Sequence, residues 1–136
     1  MKYYFDTCIW LNLFKKEKEF WKSAKELVEK ALISDKFQIY YSGLVLKELK
    51  FVINNKPLFE ENSDFLKKFN YIKLIDEDYA FARALEAKTD YKLSFYDYLH
   101  LAVCNRNKFI LVTRDKDLIN IAQQFIIVKI PEELLS

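Results

Sequence analysis

Short apolar runs typical of β-strands alternate along this chain with longer segments whose apolar residues recur at helical spacing. Residues 2–5 (Lys-Tyr-Tyr-Phe) and 37–41 (Phe-Gln-Ile-Tyr-Tyr) are two such runs, and the helical spacing is clearest from Phe20 to Leu32. Strands separated by helices, several of them continuous apolar runs, indicate a parallel sheet that is covered on both faces. The sequence therefore predicts an α/β fold, a three-layer α/β/α sandwich around a central, mainly parallel five-stranded sheet.

The same patterns give approximate bounds for each element. The predicted strands are residues 2–5, 37–41, 71–75, 109–113 and 125–128, and the predicted helices are residues 7–14, 18–34, 42–53, 57–69, 77–88, 95–106 and 117–124. A chain of 136 residues has the usual size of one domain. We therefore expect residues 1–136 to form a single domain, with a short tail from Pro131.

The scarcity of glycine, histidine and cysteine excludes several classes of function. Gly43 is the one glycine, His100 is the one histidine, and Cys8 and Cys104 are the two cysteines. Phosphate-cradling loops of nucleotide-binding folds need several glycines, so those classes are excluded. A zinc site is poorly supplied, and no Gly-x-Ser-x-Gly motif accompanies the histidine. Carboxylates are the chemical groups that remain.

Charge and hydropathy say little about partners. The net charge is +2, so nucleic-acid binding is permitted but not indicated by charge alone. No apolar run approaches the roughly 20 residues of a membrane span, and no secretory signal opens the chain. We expect a cytoplasmic protein with two reduced thiols and no membrane association.

Two acids follow predicted strands. Asp6 comes directly after the first strand, and Asp115 comes two residues after the fourth. Each can simply cap the helix that follows it. In an open parallel sheet, however, the site lies beyond the carboxyl ends of the strands, where the strand order reverses. Thr113 ends the fourth strand, where its hydroxyl can orient a carboxylate or bond its own turn.

Other acids lie on predicted helices. Glu48 has apolar neighbours three and four positions away, so its carboxylate needs a metal ion or a partner such as a nearby lysine. Asp97 can be bound to a metal or can complete a capping box with Ser94. Asp117 is either a fifth acid or an ordinary first-turn residue. We expect His100 to be a partly buried helix residue.

The acids carry more information together than singly. Carboxylates about 4 Å apart repel by ~1 kcal/mol in water and by more in a drier cleft, so a cluster of them needs a cation. An all-oxygen, carboxylate-rich site suits Mg²⁺ or Mn²⁺ rather than zinc. Aromatic residues near the N-terminus are candidates for a homodimer or partner interface; these are Trp10, Phe14, Phe20 and Trp21.

The order of these acids resembles that of the PIN domain, and is most similar to the VapC-like toxin ribonucleases of type II toxin–antitoxin systems. The segments that carry the resemblance are residues 4–7 (Tyr-Phe-Asp-Thr), 46–49 (Leu-Lys-Glu-Leu), 94–97 (Ser-Phe-Tyr-Asp) and 112–117 (Val-Thr-Arg-Asp-Lys-Asp). The resemblance covers essentially the whole chain, and its most specific part is the Thr-x-Asp-x-Asp segment.

The resemblance implies an endoribonuclease that depends on Mg²⁺ or Mn²⁺. Asp6, Glu48, Asp97 and Asp115 match the acidic positions of the family, and Thr113 matches its hydroxyl. A further match, at a more variable acidic position, is Asp117, and the division of labour between it and Asp115 is left open. The resemblance also implies a homodimer, an RNA substrate and a VapB-like antitoxin that fills the acidic groove.

Two alternatives share the predicted fold. One is a non-catalytic module that binds RNA or a protein partner. The other is a receiver-like phosphoacceptor domain, in which Thr113 and Lys129 would be the switch residues. A receiver has adjacent acids after its first strand, whereas here Asp6 is followed by Thr7. The complete set of acids therefore favours the nuclease.

Overall fold

The computed structural model of the protein describes residues 1–135. The strands are β1 (Lys2–Phe5), β2 (Gln38–Ser42), β3 (Asn70–Ile72), β4 (Ile110–Val112) and β5 (Val128–Lys129). The helices are α1 (Thr7–Lys15), α2 (Phe20–Ile33), α3 (Gly43–Val52), α4 (Lys56–Leu66), α5 (Asp76–Lys88), α6 (Phe95–Asn107) and α7 (Lys116–Ala122), and a 3₁₀ helix follows at Pro131–Leu134.

The five strands form one sheet in the order β3-β2-β1-β4-β5, and every pair in it is parallel. The predicted α/β fold with a central parallel sheet is thereby confirmed. The strand order reverses at β1: the chain first builds outward through β2 and β3, and then returns to the other side of β1 with β4. Because Phe5 pairs with Val112, the residues that follow β1 and β4 emerge side by side at the carboxyl edge.

Some predicted bounds were wrong by a few residues. β5 was predicted at 125–128 but begins at Val128, because backbone hydrogen bonds from Phe125 and Ile126 to Ala122 continue the turn after α7. β3 was predicted at 71–75 but ends at Ile72, and the backbone then turns into α5. The predicted short tail from Pro131 contains a 3₁₀ helix over Pro131–Leu134.

Helix α6 lies at the centre of the molecule, because every residue from Tyr98 to Cys104 is buried. Trp10 of α1 is also fully buried, and its ring packs at 5.3 Å between centroids against both Phe5 and Phe69. The prediction that Trp10 belongs to an interface was therefore wrong: its indole completes the core beneath the sheet.

One buried ion pair joins α5 to α6. Asp78 is 1% exposed, and its two oxygens accept hydrogen bonds of 2.8 and 2.9 Å from the guanidinium of Arg106. Asp78 also accepts from the backbone N–H of Ile75 and so caps α5, while Arg106 donates to the carbonyl of Lys73. A buried carboxylate is stable only with such partners, so this pair fixes the position of α6 relative to α5.

The described part of the chain holds both cysteines as free thiols, as predicted. None of the helices within residues 1–135 combines the length and the apolar character that crossing a bilayer requires.

Candidate active site

Asp6 is held by donors from three neighbours at the carboxyl end of β1. Its Oδ1 accepts from the backbone N–H of Thr7 at 2.7 Å, so Asp6 does cap α1. Its Oδ2 accepts from the hydroxyl of Thr113 at 2.8 Å and from the thiol of Cys8 at 3.4 Å. Burial and the nearby charge of Asp6 raise the pKa of Cys8, so that thiol stays protonated. The carboxylate of Asp6 is therefore both buried and fixed in orientation.

Thr113 and Asp115 extend the site from the neighbouring strand. Thr113 is fully buried, and its hydroxyl accepts from the backbone N–H of Asp115 at 3.1 Å while it donates to Asp6. The Oδ1 of Asp115 accepts from the backbone N–H groups of Asp117 and Leu118 and caps α7. Both predicted roles of Thr113, orienting a carboxylate and bonding its own turn, are present.

Glu48 reaches the same edge from α3, and its partner is a histidine rather than the lysine we had considered. Its Oε1 accepts from Nε2 of His100 at 2.6 Å and from the hydroxyl of Thr7 at 2.8 Å. Burial alone would raise the pKa of Glu48, but the hydrogen bond and charge of His100 hold it below the ordinary value. Glu48 is therefore ionised at neutral pH.

His100 is buried more deeply than the sequence predicted. It is fully buried, and its Nε2 lies 3.8 Å from Oδ1 of Asp6 as well as beside Glu48. Burial lowers its pKa, but the bond to Glu48 and the charge of Asp6 outweigh burial and raise the pKa above the usual value. Sequence reasoning missed this role, although the one histidine of the chain stands three residues after Asp97 and so lies on the same side of α6.

Asp97 lies among other acids, and a hydrogen bond from Ser94 and the charge of His100 offset its own charge only in part. Its pKa is raised to about 6, first by burial and then by repulsion from Asp6 and, more weakly, from Asp115. Ser94 caps α6 by accepting from the backbone N–H of Asp97, which is one half of the predicted capping box. The carboxylates of Asp6 and Asp115 both raise the pKa of Asp97, so the three acids lie at one cleft above β1 and β4.

Asp117 is an exposed first-turn residue of α7, and its role as a fifth acid stays a prediction. Within residues 1–135, no three His, Cys, Asp or Glu side chains already form a group that could hold one ion. Asp6, Glu48, Asp97 and Asp115 thus share an edge of the sheet, but they do not form a closed cage.

Arg114 stands beside this cleft but is turned away from it. Its guanidinium forms two hydrogen bonds to Glu132 of the 3₁₀ helix and lies 4.1 Å from the ring centre of Phe20. Ser23 of α2 also donates to Glu132, at 2.6 Å. The hydrogen bonds from Arg114 lower the pKa of Glu132 to about 2. Burial acts in the opposite direction, and the hydrogen bond from Ser23 lowers the pKa further. This cation therefore serves to attach the 3₁₀ helix to α2.

Comparison with known proteins gives a family match and a set of similar structures. A model of the PIN domain matches residues 3–124 of this chain. None of the curated proteins matches it.

The similar structures are toxin–antitoxin complexes. A chain of the VapBC2 complex from Rickettsia felis, solved with a promoter DNA fragment, is 19% identical with a TM-score of 0.73, covering 95% of this chain and 98% of that one. A chain of a toxin–antitoxin complex from Klebsiella pneumoniae is 25% identical with a TM-score of 0.72. The match covers 95% of this chain and 97% of that one. A chain of VapBC-5 from Mycobacterium tuberculosis is 17% identical with a TM-score of 0.61. The match covers 95% of this chain and 96% of that one. At identities this low, such likeness shows the fold.

Proposed function

Because this chain belongs to the PIN domain family, we propose that it is a metal-dependent endoribonuclease and the toxin of a VapBC-type pair, formed by a single nuclease domain over residues 1–136. The observation that carries the proposal is the hydrogen-bond network that joins the acids at the carboxyl edge of the sheet: Thr7 links Asp6 to Glu48, and Thr113 links Asp6 to Asp115. Such a cleft repels RNA phosphates unless a cation enters it. We place its action in the cytoplasm.

The donor atoms fit Mg²⁺ or Mn²⁺. All are carboxylate oxygens, which hard divalent cations prefer. Among the described residues, Oε2 of Glu48 and Oδ2 of Asp115 have no protein hydrogen-bond donor. Asp6, Glu48, Asp97 and Asp115 would hold the ion, and Asp117 is available from the adjoining turn. A bound cation would supply charge neutralisation at the scissile phosphate and would acidify water.

The protein's own residues supply orientation and exclude a competing route. Asp6 is fixed by Thr7 and Thr113, and Glu48 is fixed by Thr7 and His100, so two of the four acids are preorganised. Cleavage through the RNA 2′-hydroxyl needs an accessible acid–base pair, and the one histidine is buried with both ring nitrogens bonded. Hydrolysis by water, leaving a 5′-phosphate and a 3′-hydroxyl, is the reaction that the site supports.

Cleavage of RNA with and without metal tests this proposal. We expect the purified protein to cut transfer RNA or single-stranded RNA in Mn²⁺ or Mg²⁺, to stop in EDTA, and to leave 5′-phosphates that a ligase can join. Removal of the cation leaves the carboxylates mutually repulsive and unable to bind phosphate. Cleavage that persists in EDTA, or products with 2′,3′-cyclic phosphates, would contradict the mechanism. Absence of cleavage across a full cellular RNA pool would favour the non-catalytic module.

Besides the acidic cleft, a groove between α1, α2 and α4 is a second surface that we assign to the antitoxin. Its volume is about 690 Å³, and its lining includes Phe14, Trp21, Leu32 and Phe65. Asn62 in its wall has an amide nitrogen with no hydrogen-bond partner among the described residues. Phe14 and Trp21 are two of the residues that we predicted for an interface. The lining is mostly apolar with lysines and acids at its rim, which suits an amphipathic segment. The homodimer stays a prediction.

One substitution in the groove tests this assignment. Leu32→Glu should weaken binding of a VapB-like antitoxin by about tenfold or more, because it puts a charge into an apolar contact. Ile33→Glu is the matched control, since Ile33 is 87% exposed and is not part of the groove lining. Isothermal titration calorimetry gives both affinities. Equal weakening by the two substitutions, or none by Leu32→Glu, would place the antitoxin elsewhere.

A further inference from the structure

Two donors converge on one oxygen of Glu48. Nε2 of His100 and the hydroxyl of Thr7 both contact Oε1, at 2.6 and 2.8 Å. No donor from residues 1–135 contacts the second oxygen, Oε2. A carboxylate held in this way by one oxygen cannot rotate freely, and its other oxygen stays available as a ligand atom.

His100 is itself fixed from its other side by a chain of buried hydroxyl groups. Its Nδ1 lies 2.7 Å from the phenol oxygen of Tyr4, which lies 2.7 Å from the hydroxyl of Ser42. Ser42 in turn accepts from the backbone N–H of Leu44 and caps α3. All three side chains are fully buried, and burial raises the pKa of Tyr4, so the phenol keeps its proton.

The proton positions in this chain follow from the available donors and acceptors. If His100 is neutral with its proton on Nε2, it donates to Glu48, Tyr4 donates to Nδ1, and Ser42 donates to Tyr4, so every proton has an acceptor. If His100 is cationic, Nε2 still donates to Glu48. The remaining tautomer would place the lone pair of Nε2 against a carboxylate oxygen 2.6 Å away, which is repulsive. Nε2 is therefore the donor in both allowed states.

We propose that His100 is a positioning residue of the nuclease site, which holds Oε1 of Glu48 so that Oε2 is the oxygen presented to the divalent cation. This inference rests on the proposed function and adds to it a residue outside the set of acids. Helix α6 would thus contribute twice, with Asp97 at its first turn and with His100 one turn later. Glu48, on the separate helix α3, would be aligned by His100 of α6 together with Thr7 of α1.

The hydrogen bond can be tested without metal, because His100 is the one histidine of the chain and its signals need no assignment. In ¹⁵N-labelled, metal-free protein we expect a slowly exchanging low-field proton on Nε2. Glu48→Gln should shift this resonance upfield, because a neutral acceptor makes a weaker bond than a carboxylate. Nitrogen shifts that report a proton on Nδ1 alone, or a resonance that Glu48→Gln leaves unchanged, would overturn the proposal.

The consequence for metal is tested by two substitutions of His100 and one control. His100→Gln can place an amide donor near the position of Nε2, whereas His100→Leu cannot donate. By electron paramagnetic resonance we expect the Mn²⁺ Kd to rise about tenfold in His100→Leu and to stay within about threefold of wild type in His100→Gln, since partners behind a ligand change affinity by ~10–100-fold. Tyr98→Phe controls for general destabilisation, because Tyr98 is also fully buried on α6 and bonds Thr89 and Leu93 instead.

The outcomes separate this inference from the proposed function. A wild-type protein that binds no Mn²⁺ would overturn the proposed function and this role together. A normal wild-type Kd that His100→Leu leaves unchanged, or that Tyr98→Phe raises as much, would overturn the role of His100 alone. If His100→Leu does not fold, two variants of Thr7 replace it in the test. Thr7→Val removes the second donor to Oε1 of Glu48, and Thr7→Ser keeps it. Equal Kd values for that pair would then contradict the proposal.

Discussion

Asp97→Asn should raise the melting temperature of the metal-free protein and abolish its response to Mn²⁺. The charge of Asp97 is unfavourable in the folded state, because burial and the repulsion by Asp6 raise its pKa to about 6. After allowance for solvent at a partly exposed carboxylate, its removal is worth on the order of 1 kcal/mol, or roughly 3–5 °C. Stabilisation by a ligand requires its site, so added Mn²⁺ should stabilise only the wild type. Differential scanning fluorimetry with and without Mn²⁺ measures both effects.

The difference in stability between Asp97→Asn and wild type depends on pH, and the sign of that dependence follows from the pKa of Asp97. Since the pKa of Asp97 is higher in the folded protein than its ordinary value of 3.8, the folded state binds the proton more tightly. That contribution to the free energy of unfolding is complete below about pH 4 and is lost as the pH rises through about 6. The difference in stability between Asp97→Asn and wild type should therefore shrink as the pH falls from 7 to 4.

Asp76→Asn is the control, because Asp76 is also a first-turn acid, on α5, and is exposed. It should leave the Mn²⁺ response intact. Loss of RNA cleavage by more than about 100-fold is expected for Asp97→Asn and for Asp6→Asn, because removing a ligand exceeds the ~10–100-fold effect of residues behind it. A wild-type Mn²⁺ response in Asp97→Asn would show that this acid is not a ligand, and a lower melting temperature would contradict the repulsion.

Asp78→Ala should lower the free energy of unfolding by about 2 kcal/mol, because it removes the buried carboxylate that accepts the hydrogen bonds of Arg106. Asp78 accepts two hydrogen bonds from Arg106 and one from the backbone of Ile75, so the cap of α5 is lost as well. Urea unfolding followed by circular dichroism measures the loss. Glu77→Ala, at the exposed neighbouring position, should change stability by less than about 0.5 kcal/mol.

A second substitution separates the unpaired charge from the lost contacts. The double variant Asp78→Ala with Arg106→Met should recover part of the stability, because no guanidinium is then left unpaired at this partly exposed position. If the double variant is as unstable as the sum of the two single variants, the pair does not act as a unit. Because this pair holds α6 against α5, Asp78→Ala should also weaken Mn²⁺ binding through Asp97.

The sequence predicted the fold and the four acids for reasons that are local. Asp6 and Asp115 were identified because each follows a strand, and that position can be read from a short apolar run. Glu48 was identified because a carboxylate among apolar neighbours needs a partner. Their convergence depends on β1 lying between β2 and β4, an order that the alternation of strands and helices does not specify. The acids themselves therefore came from local pattern, and their grouping came from topology.

The sequence failed where one local pattern fits two environments. The sequence pattern around an aromatic residue is the same in a core and at an interface. Trp10 was therefore wrongly predicted to lie at an interface, whereas Phe14 and Trp21 do line a groove. The partners of His100 come from β1 and α3, which are distant in the chain, and so its hydrogen bonds to Tyr4 and Glu48 had no local signal. The apolar run before Lys129 was read as a strand, although its first residues complete a turn.

The position of β1 in the middle of the sheet also affects how the protein is made. Synthesis proceeds from the N-terminus, so β1 and Asp6 are produced before the other four strands. One neighbour of β1, β4, is made only after α6, and Thr113 follows it. A nascent chain that has not reached Thr113 has Asp6 without its hydroxyl partner and has no assembled cleft. If the protein cuts RNA as proposed, the ribosome that translates it is therefore not exposed to an active product until translation has passed β4.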